Sequence, residues 1–407
     1  FSTYQSSHQI AEAQTHSRVP GFDLVIADEA HRCAGKVSSA YGTVLDEEAI
    51  RAKKRLFMTA TPRTYTTRVQ KKAREAEIEV ASMDDEAVFG PVVHQLNFGE
   101  AIEKGLLTDY QVVVVGVDNS RYKQMVDKRH IVKADKGLQT DAETLAKHVA
   151  LAKAIRDYGL RRTISFHSRI NTASEFANML PKVVSWMPPR HRPKAKLVTD
   201  HVSGKMSTGE RNRRLNRLRN LEPDQSAVLT NARCLSEGID VPTLDGVAFI
   251  DPRRSQVDIV QAVGRAIRLS ADKTVGTIVI PVFLSDTDDP DTALSQSEFE
   301  PVWSIVRALR SHDGALGDAL DGIRLSMGRK GGGGRPPIKI VLDLPKGVSR
   351  KFAGAFATRL VERTTSSWNF NLGLLQNFVD REGHARVPAS HVELFQGAEF
   401  RLGYWVS

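Results

Sequence analysis

The chain has 407 residues, 41% of them hydrophobic and 26% charged, with a net charge of +9 and a pI near 9.5. That length suits two or three domains, each with a core of its own, in a soluble globular protein. No apolar run approaches the roughly 18 residues of a membrane span, and Phe1-Ser2-Thr3-Tyr4 has neither the basic start nor the apolar stretch of a signal peptide. Two cysteines, Cys33 and Cys234, are too few for a disulfide framework or a four-cysteine zinc site. No structural metal and no membrane partner are expected, and a reducing cytoplasm is the expected compartment.

The first strand, Leu24–Ala27, ends in Asp28-Glu29-Ala30-His31. Two carboxylates at the mouth of an apolar strand are costly unless they hold something positive. An aspartate there can hold Mg²⁺, often through water, which neutralises phosphate oxygens. The adjacent Glu29 can act as general base on an attacking water. His31 could sense the nucleotide and pass its state on. The plainer alternative is a helix start with favourable acidic residues. A second strand, Leu56–Met58, runs into Thr59-Ala60-Thr61-Pro62, and its two hydroxyls are expected to hydrogen-bond the carboxylates of the first. A boundary is expected near residues 105–110.

Beyond it, strands are predicted at Gln111–Val117, Thr163–Phe166, Lys196–Val198, Ala227–Leu229, Gly246–Ile250 and Thr277–Val282. Like the first two strands, they are mostly apolar on both faces, as in a parallel sheet covered on both sides. Helices fit between them at Ala142–Asp157, Asn171–Leu180 and Gly209–Leu218. Such a doubly wound sheet binds ligands at the carboxyl ends of its strands. Residues 190–219 hold ten Lys/Arg against Asp200 and Glu210, and residues 324–351 hold eight against Asp343. Both stretches suit a polyanion, or else are solvated faces with no partner.

After the strand at 227–229, Thr230-Asn231-Ala232-Arg233-Cys234-Leu235-Ser236-Glu237-Gly238-Ile239-Asp240-Val241-Pro242 forms a Gly-containing loop. Gly238 would allow close approach to a phosphate, and Asp240 could accept from a ribose hydroxyl. Residues 261–268, "QAVGRAIR", place Gln261, Arg265 and Arg268 at spacings that share one helix face. Two arginines suit a transferring phosphoryl group, because guanidinium binds bidentately and stays charged. The acidic 285–291 and the Gly/Pro-rich 328–337 read as a turn and a flexible linker. Trp368, Leu372, Leu375, Phe378 and Val379 then recur at helical spacing, with Gly383 as a stop.

In this order the motifs resemble those of superfamily 2 DEAD/DEAH-box helicases related to restriction-enzyme motors, over residues 1–285. "DEAH" resembles the second motif, "TAT" the third, "SFHSR" (165–169) the fourth, "SEGIDVP" the fifth and "QAVGRAIR" the sixth. The resemblance implies an α/β protein with two RecA-like doubly wound parallel-sheet domains, the first incomplete, and a small C-terminal helical module. The implied domains are 1–108, 109–285, an accessory helical region with linker at 286–365, and a partial helicase-associated domain at 366–407. That last match rests on Trp368, Gly383, His384, Val387, Pro388, Gly403 and Trp405. The helicase resemblance also implies ATP and Mg²⁺ as cofactors and nucleic acid as partner, with DNA favoured over RNA. Asp28, Glu29, His31, Gln261, Arg265 and Arg268 would be catalytic, with Asp28 the Mg²⁺ ligand. Thr59, Thr61, Glu237, Gly238 and Asp240 would bind or couple the nucleotide. Thr3, Ser168, Thr230, Arg213 and Arg214 would meet the nucleic acid.

One departure stands out. The phosphate-cradling loop G-x-x-x-x-G-K-[ST] is absent: Gly35-Lys36 is followed by Val37, and Gly204-Lys205 by Met206. The expectation is a fragment of a longer protein with little ATP turnover on its own. A non-catalytic nucleic-acid-binding scaffold and a restriction motor with modification partners remain the alternatives.

Overall fold

The computed structural model describes residues 1–407 except 17–18, 77, 119–141, 233–240, 252–254, 272, 285–293, 295–298, 332–334, 346–347 and 349. Two compact units result, Phe1–Gln95 and Leu96–Ser407.

In the first unit, β1 (Phe22–Ala27) and β2 (Ala52–Phe57) pair in parallel, Ala27 opposite Phe57. Their inner face packs Val25, Ala27 and Phe57 with Ala30, Cys33 and Val44. The other face differs from the expectation of strands buried on both sides: Leu24 and Ile26 are 50% and 55% exposed. The unit's described residues place a core on one side of this sheet alone. Burial pushes the Cys33 thiol up to about 11, so this cysteine is an inert packing group.

The second unit is built on seven parallel strands: β3 (Asp109–Asp118), β4 (Arg162–Phe166), β5 (Lys196–Ser203), β6 (Gln225–Ala232), β7 (Gly246–Phe249), β8 (Val275–Leu284) and β9 (Ile340–Asp343). Their spatial order is β9-β3-β8-β7-β4-β6-β5. The run of valines in β3 suits a strand covered on both faces: Val112 and Val114 face one core, Val113 and Val115 the other. One side carries α1 (Ala142–Asp157) and α2 (Ile170–Trp186); Ala150, Leu151, Phe176 and Leu180 form that core. The other side carries α3 (Thr208–Arg219), α4 (Gln256–Ala266), α5 (Glu300–Arg310), α6 (Gly314–Lys330) and α7 (Arg350–Thr364). Leu215, Ile259, Trp303, Leu320 and Phe356 bury there. A mixed α/β protein with a large parallel sheet is thus the observed class.

Two elements depart from the expected pattern. The helix predicted to stop at Leu180 continues through Pro181 to Trp186. The missing proline N–H loses one helical bond, but Val183 is fully buried, and that burial keeps the turn going. The stretch beyond the glycines supplies β9, which adds to the sheet edge with Ile340 opposite Val112. It is pinned by Asp313, the N-cap of α6, which is 0% exposed. Asp313 accepts from Tyr110 Oη at 2.7 Å, Lys339 Nζ at 3.2 Å and the Leu316 N–H at 3.1 Å. These bonds satisfy a buried charge that would otherwise be costly, and residues 300–364 share the core of this sheet. The tail helix α8 (Ser367–Glu382) and a short hairpin, Glu393–Phe395 with Ala398–Phe400, close the chain around Leu374, Phe378 and Leu402.

Candidate functional site

The carboxyl end of β1 delivers Asp28 and Glu29. The Asp28 carboxylate accepts the Glu29 N–H at 2.9 Å, and the Asp28 carbonyl accepts from the Tyr4 hydroxyl. Glu29 is held in the left-handed region at φ 51°, a conformation costly for a residue with a Cβ. That turn directs the chain into Ala30–Arg32, whose Ala30 N–H is accepted by the Met58 carbonyl at 2.8 Å. His31 is buried, with Nδ1 3.0 Å from Thr59 Oγ1 and 3.4 Å from Glu29 Oε2. Thr59 Oγ1 in turn accepts the Thr61 N–H at 3.1 Å. The expected contact therefore needs correcting: Thr59 meets the imidazole, and the path to Glu29 passes through His31. Thr61 Oγ1 is buried without a hydrogen-bond partner among the described residues.

In the second unit, α4 carries Gln261 and Arg265. Arg265 is buried, and Gln261 Nε2 has no hydrogen-bond partner among the described residues. The shared helix face does not extend to Arg268. The helix ends at Ala266, and Arg268 is exposed in a bridge with Leu107. Thr108 ends the helix by bonding two carbonyls, its N–H to Ile267 at 2.7 Å and its hydroxyl to Arg268 at 3.3 Å. Glu237, Gly238 and Asp240 lie outside the described residues.

Of the expected nucleic-acid contacts, Thr3, Ser168 and Arg213 are exposed. Thr230 is not: it is 0% exposed, and its hydroxyl donates to the Ala173 carbonyl at 2.7 Å. Its side chain is committed to the core and cannot touch a strand in this arrangement. Arg214 is also committed, to Asp200 at 2.8 Å and Glu210 at 2.6 Å. Arg217 shares Asp200. The basic stretch is thus partly neutralised from within.

A polar network that includes Ser165 and His167 of "SFHSR" lies at the carboxyl ends of β4 and β7. Ser165 Oγ is 3.0 Å from His167 Nε2, whose Nδ1 lies 3.7 Å from Asp251; Lys147 reaches Asp251 at 3.2 Å. Ser165 is 0% exposed, so this relay orients Asp251 and has no accessible nucleophile. Beside it His148 stacks on Phe176 at 3.8 Å, and burial pushes its pKa down from 6.5 to about 4. The unfolded chain therefore binds the proton first, and stability falls as pH drops from 6.5 to 4. The expected loss is on the order of 3 kcal/mol. Urea unfolding across that range should show it, with a shallower pH slope in His148→Phe; an identical slope would refute it.

Two family models match the chain: the helicase conserved C-terminal domain over residues 146–270, and the type III restriction enzyme res subunit over residues 1–64. The chain is similar to the ATP-dependent Type ISP restriction-modification enzyme LlaBIII bound to DNA, at 29% identity and a TM-score of 0.72, covering 96% of this chain and 27% of that one. In these matches the chain resembles superfamily 2 helicases. Probable helicase A859L of African swine fever virus (isolate Pig/Kenya/KEN-50/1950) is 27% identical over 322 residues, covering 77% of this chain and 31% of the viral protein. The Type I restriction enzyme EcoAI endonuclease subunit of Escherichia coli is 25% identical over 316 residues, covering 69% and 36%. The chain spans about a third of the length of these curated relatives. Among the described residues no helix is long and apolar enough to cross a membrane.

Proposed function

We propose that the full-length protein is a nucleic-acid-stimulated ATPase, a helicase or translocase acting on DNA, whose ATP is served by the carboxylates of the first unit and by the arginines of the second. The observation that carries this reading is the continuous link Glu29–His31–Thr59–Thr61 at the carboxyl ends of two parallel strands. The hydrogen bonds run through Thr59, and Glu29 Oε2 meets His31 at ion-pair range only; a merely acidic helix start needs no such chain of contacts.

The residues present fit a bound Mg²⁺: Asp28 and Glu29 offer hard oxygens at a strand end, and the Thr61 hydroxyl beyond the end of the paired strand is buried without a hydrogen-bond partner among the described residues. Mg²⁺ supplies charge neutralisation of phosphate oxygens when bound. Asp28 would hold it, and Glu29 would take the proton of the attacking water. Arg265 and Arg268 would stabilise the charge on the transferring phosphoryl group, and Gln261 would donate the amide hydrogen that lacks an acceptor among the described residues. The lysine of a phosphate-cradling loop is not among this chain's residues.

Steady-state ATP hydrolysis by the full-length protein, with and without duplex DNA, tests the reading. Absence of stimulation by DNA or RNA would favour a non-catalytic scaffold. The similarity to LlaBIII and EcoAI favours a restriction motor, which an attached nuclease domain or an adjacent methyltransferase gene would identify.

Thr3, Ser168 and Arg213 are the proposed strand contacts. Arg213→Ala should flatten the slope of log K against log salt by about 1. Arg214→Ala should chiefly lower stability, because it strips Asp200 and Glu210 of a partner. Equal slopes for wild type and Arg213→Ala would remove Arg213 from the interface.

A further inference from the structure

We infer that Lys273 is a positioning residue of the motor, its ammonium tying the backbone that ends the fifth motif to the helix that carries Gln261 and Arg265. Lys273 Nζ donates to three carbonyls at once: Leu244 at 2.8 Å, Pro242 at 3.3 Å and Ala266 at 2.8 Å. Pro242 closes "SEGIDVP", and Ala266 is the last residue of α4. One side chain outside both motifs therefore holds the two together.

Three features make this contact more than a surface lysine finding acceptors. The carbonyl of a helix's last residue is an orphan at the negative end of the helix dipole, so a cation there is favoured. The same carbonyl is pressed onto β8: a Cβ at Gly276 would lie 2.6 Å from the Ala266 oxygen. The end of the arginine helix is thus seated by close approach and fastened by charge. Third, the ammonium gives its three hydrogens to backbone acceptors and has no carboxylate within ion-pair reach among the described residues, which an ordinary surface lysine would seek. Asp245 acts on it from a distance, its own carboxylate occupied by the N–H groups of Arg161 and Arg162. Arg265 and Arg268 are the other charged groups on the α4 end that it fastens.

The mechanical consequence follows from the geometry. A shift of the loop before Leu244 pulls on the same ammonium that fixes Ala266, so displacement in the fifth-motif backbone reaches the turn bearing Arg265. Burial pushes the Lys273 pKa down to about 8, so the tie weakens at mildly alkaline pH. An arginine at this position would stay charged.

This inference rests on the proposed ATPase, and two measurements on the full-length protein separate the two claims. In nucleic-acid-stimulated hydrolysis, Lys273→Met should lower kcat about tenfold with KM for ATP changed less than about twofold. Wild type should lose rate above pH 8, and Lys273→Arg should keep it at pH 9. A Met variant with full kcat, or an Arg variant with the wild-type alkaline limb, overturns the inference. Hydrogen exchange is independent of turnover: Lys273→Met should speed exchange both at 241–245 and at 265–268, and Lys273→Arg should restore protection at both. Exchange that rises at one segment alone, or at neither, overturns the tie even if hydrolysis behaves as proposed. A wild-type protein without stimulated hydrolysis defeats the ATPase reading, while the exchange result still decides the tie.

Discussion

Replacing Glu29 by glutamine in the full-length protein should reduce nucleic-acid-stimulated ATP hydrolysis by about 10²–10⁴-fold, the range for losing a positioned general base. The substitution is nearly isosteric, and the left-handed turn at φ 51° is no harder for glutamine than for glutamate. Contact with His31, 3.4 Å from Glu29, can persist with a neutral amide. Folding should therefore be unchanged, and the rate loss should fall in kcat at saturating ATP. Single-turnover hydrolysis beside a thermal melt checks both halves. A loss smaller than about tenfold would mean that Glu29 does not take the proton.

The second large effect is at Arg265. Arg265→Ala should cost roughly 10³–10⁵ in kcat, as for an arginine finger. Lys should rescue little, because an ammonium lacks the planar fork that grips phosphate bidentately. Arg265 is buried, so its removal also perturbs packing, and a urea melt must accompany the rate. Arg268 supplies the cleaner comparison. It is exposed beyond the helix end, so Arg268→Ala should leave unfolding unchanged, and any loss of rate then reports chemistry. If both alanine variants hydrolyse ATP at the wild-type rate, the second unit contributes no charge to the reaction.

The architecture was legible wherever apolar period and length agreed. The eight strands expected from apolar runs all occur, and α1 spans Ala142–Asp157 as its periodicity predicts. The strand at Ile340–Asp343 escaped notice because four residues between prolines and glycines carry no period of their own. Its place is set by register with β3 and by Asp313, far away in sequence. The helix carrying the arginines ends two residues short of Arg268. What stops it is Thr108 and the close seat of Ala266 on Gly276, neither visible in "QAVGRAIR". Charge counting overstated the basic stretch for a similar reason: composition does not show that Asp200 sits between Arg214 and Arg217. Thr230 and Lys273 were misjudged or missed because their partners, Ala173 and three separate carbonyls, come together only in the folded sheet.

The central claim is that the carboxylates of one unit and the arginines of the other serve a single triphosphate. A crystal structure of the full-length protein with Mg²⁺, a non-hydrolysable ATP analogue and duplex DNA tests it most directly. The predicted result is one nucleotide whose metal is held at Asp28 and whose γ-phosphate lies within hydrogen-bonding distance of Arg265 or Arg268. A nucleotide bound with its phosphates touching only one of the two sets, in every nucleotide state obtained, would contradict it.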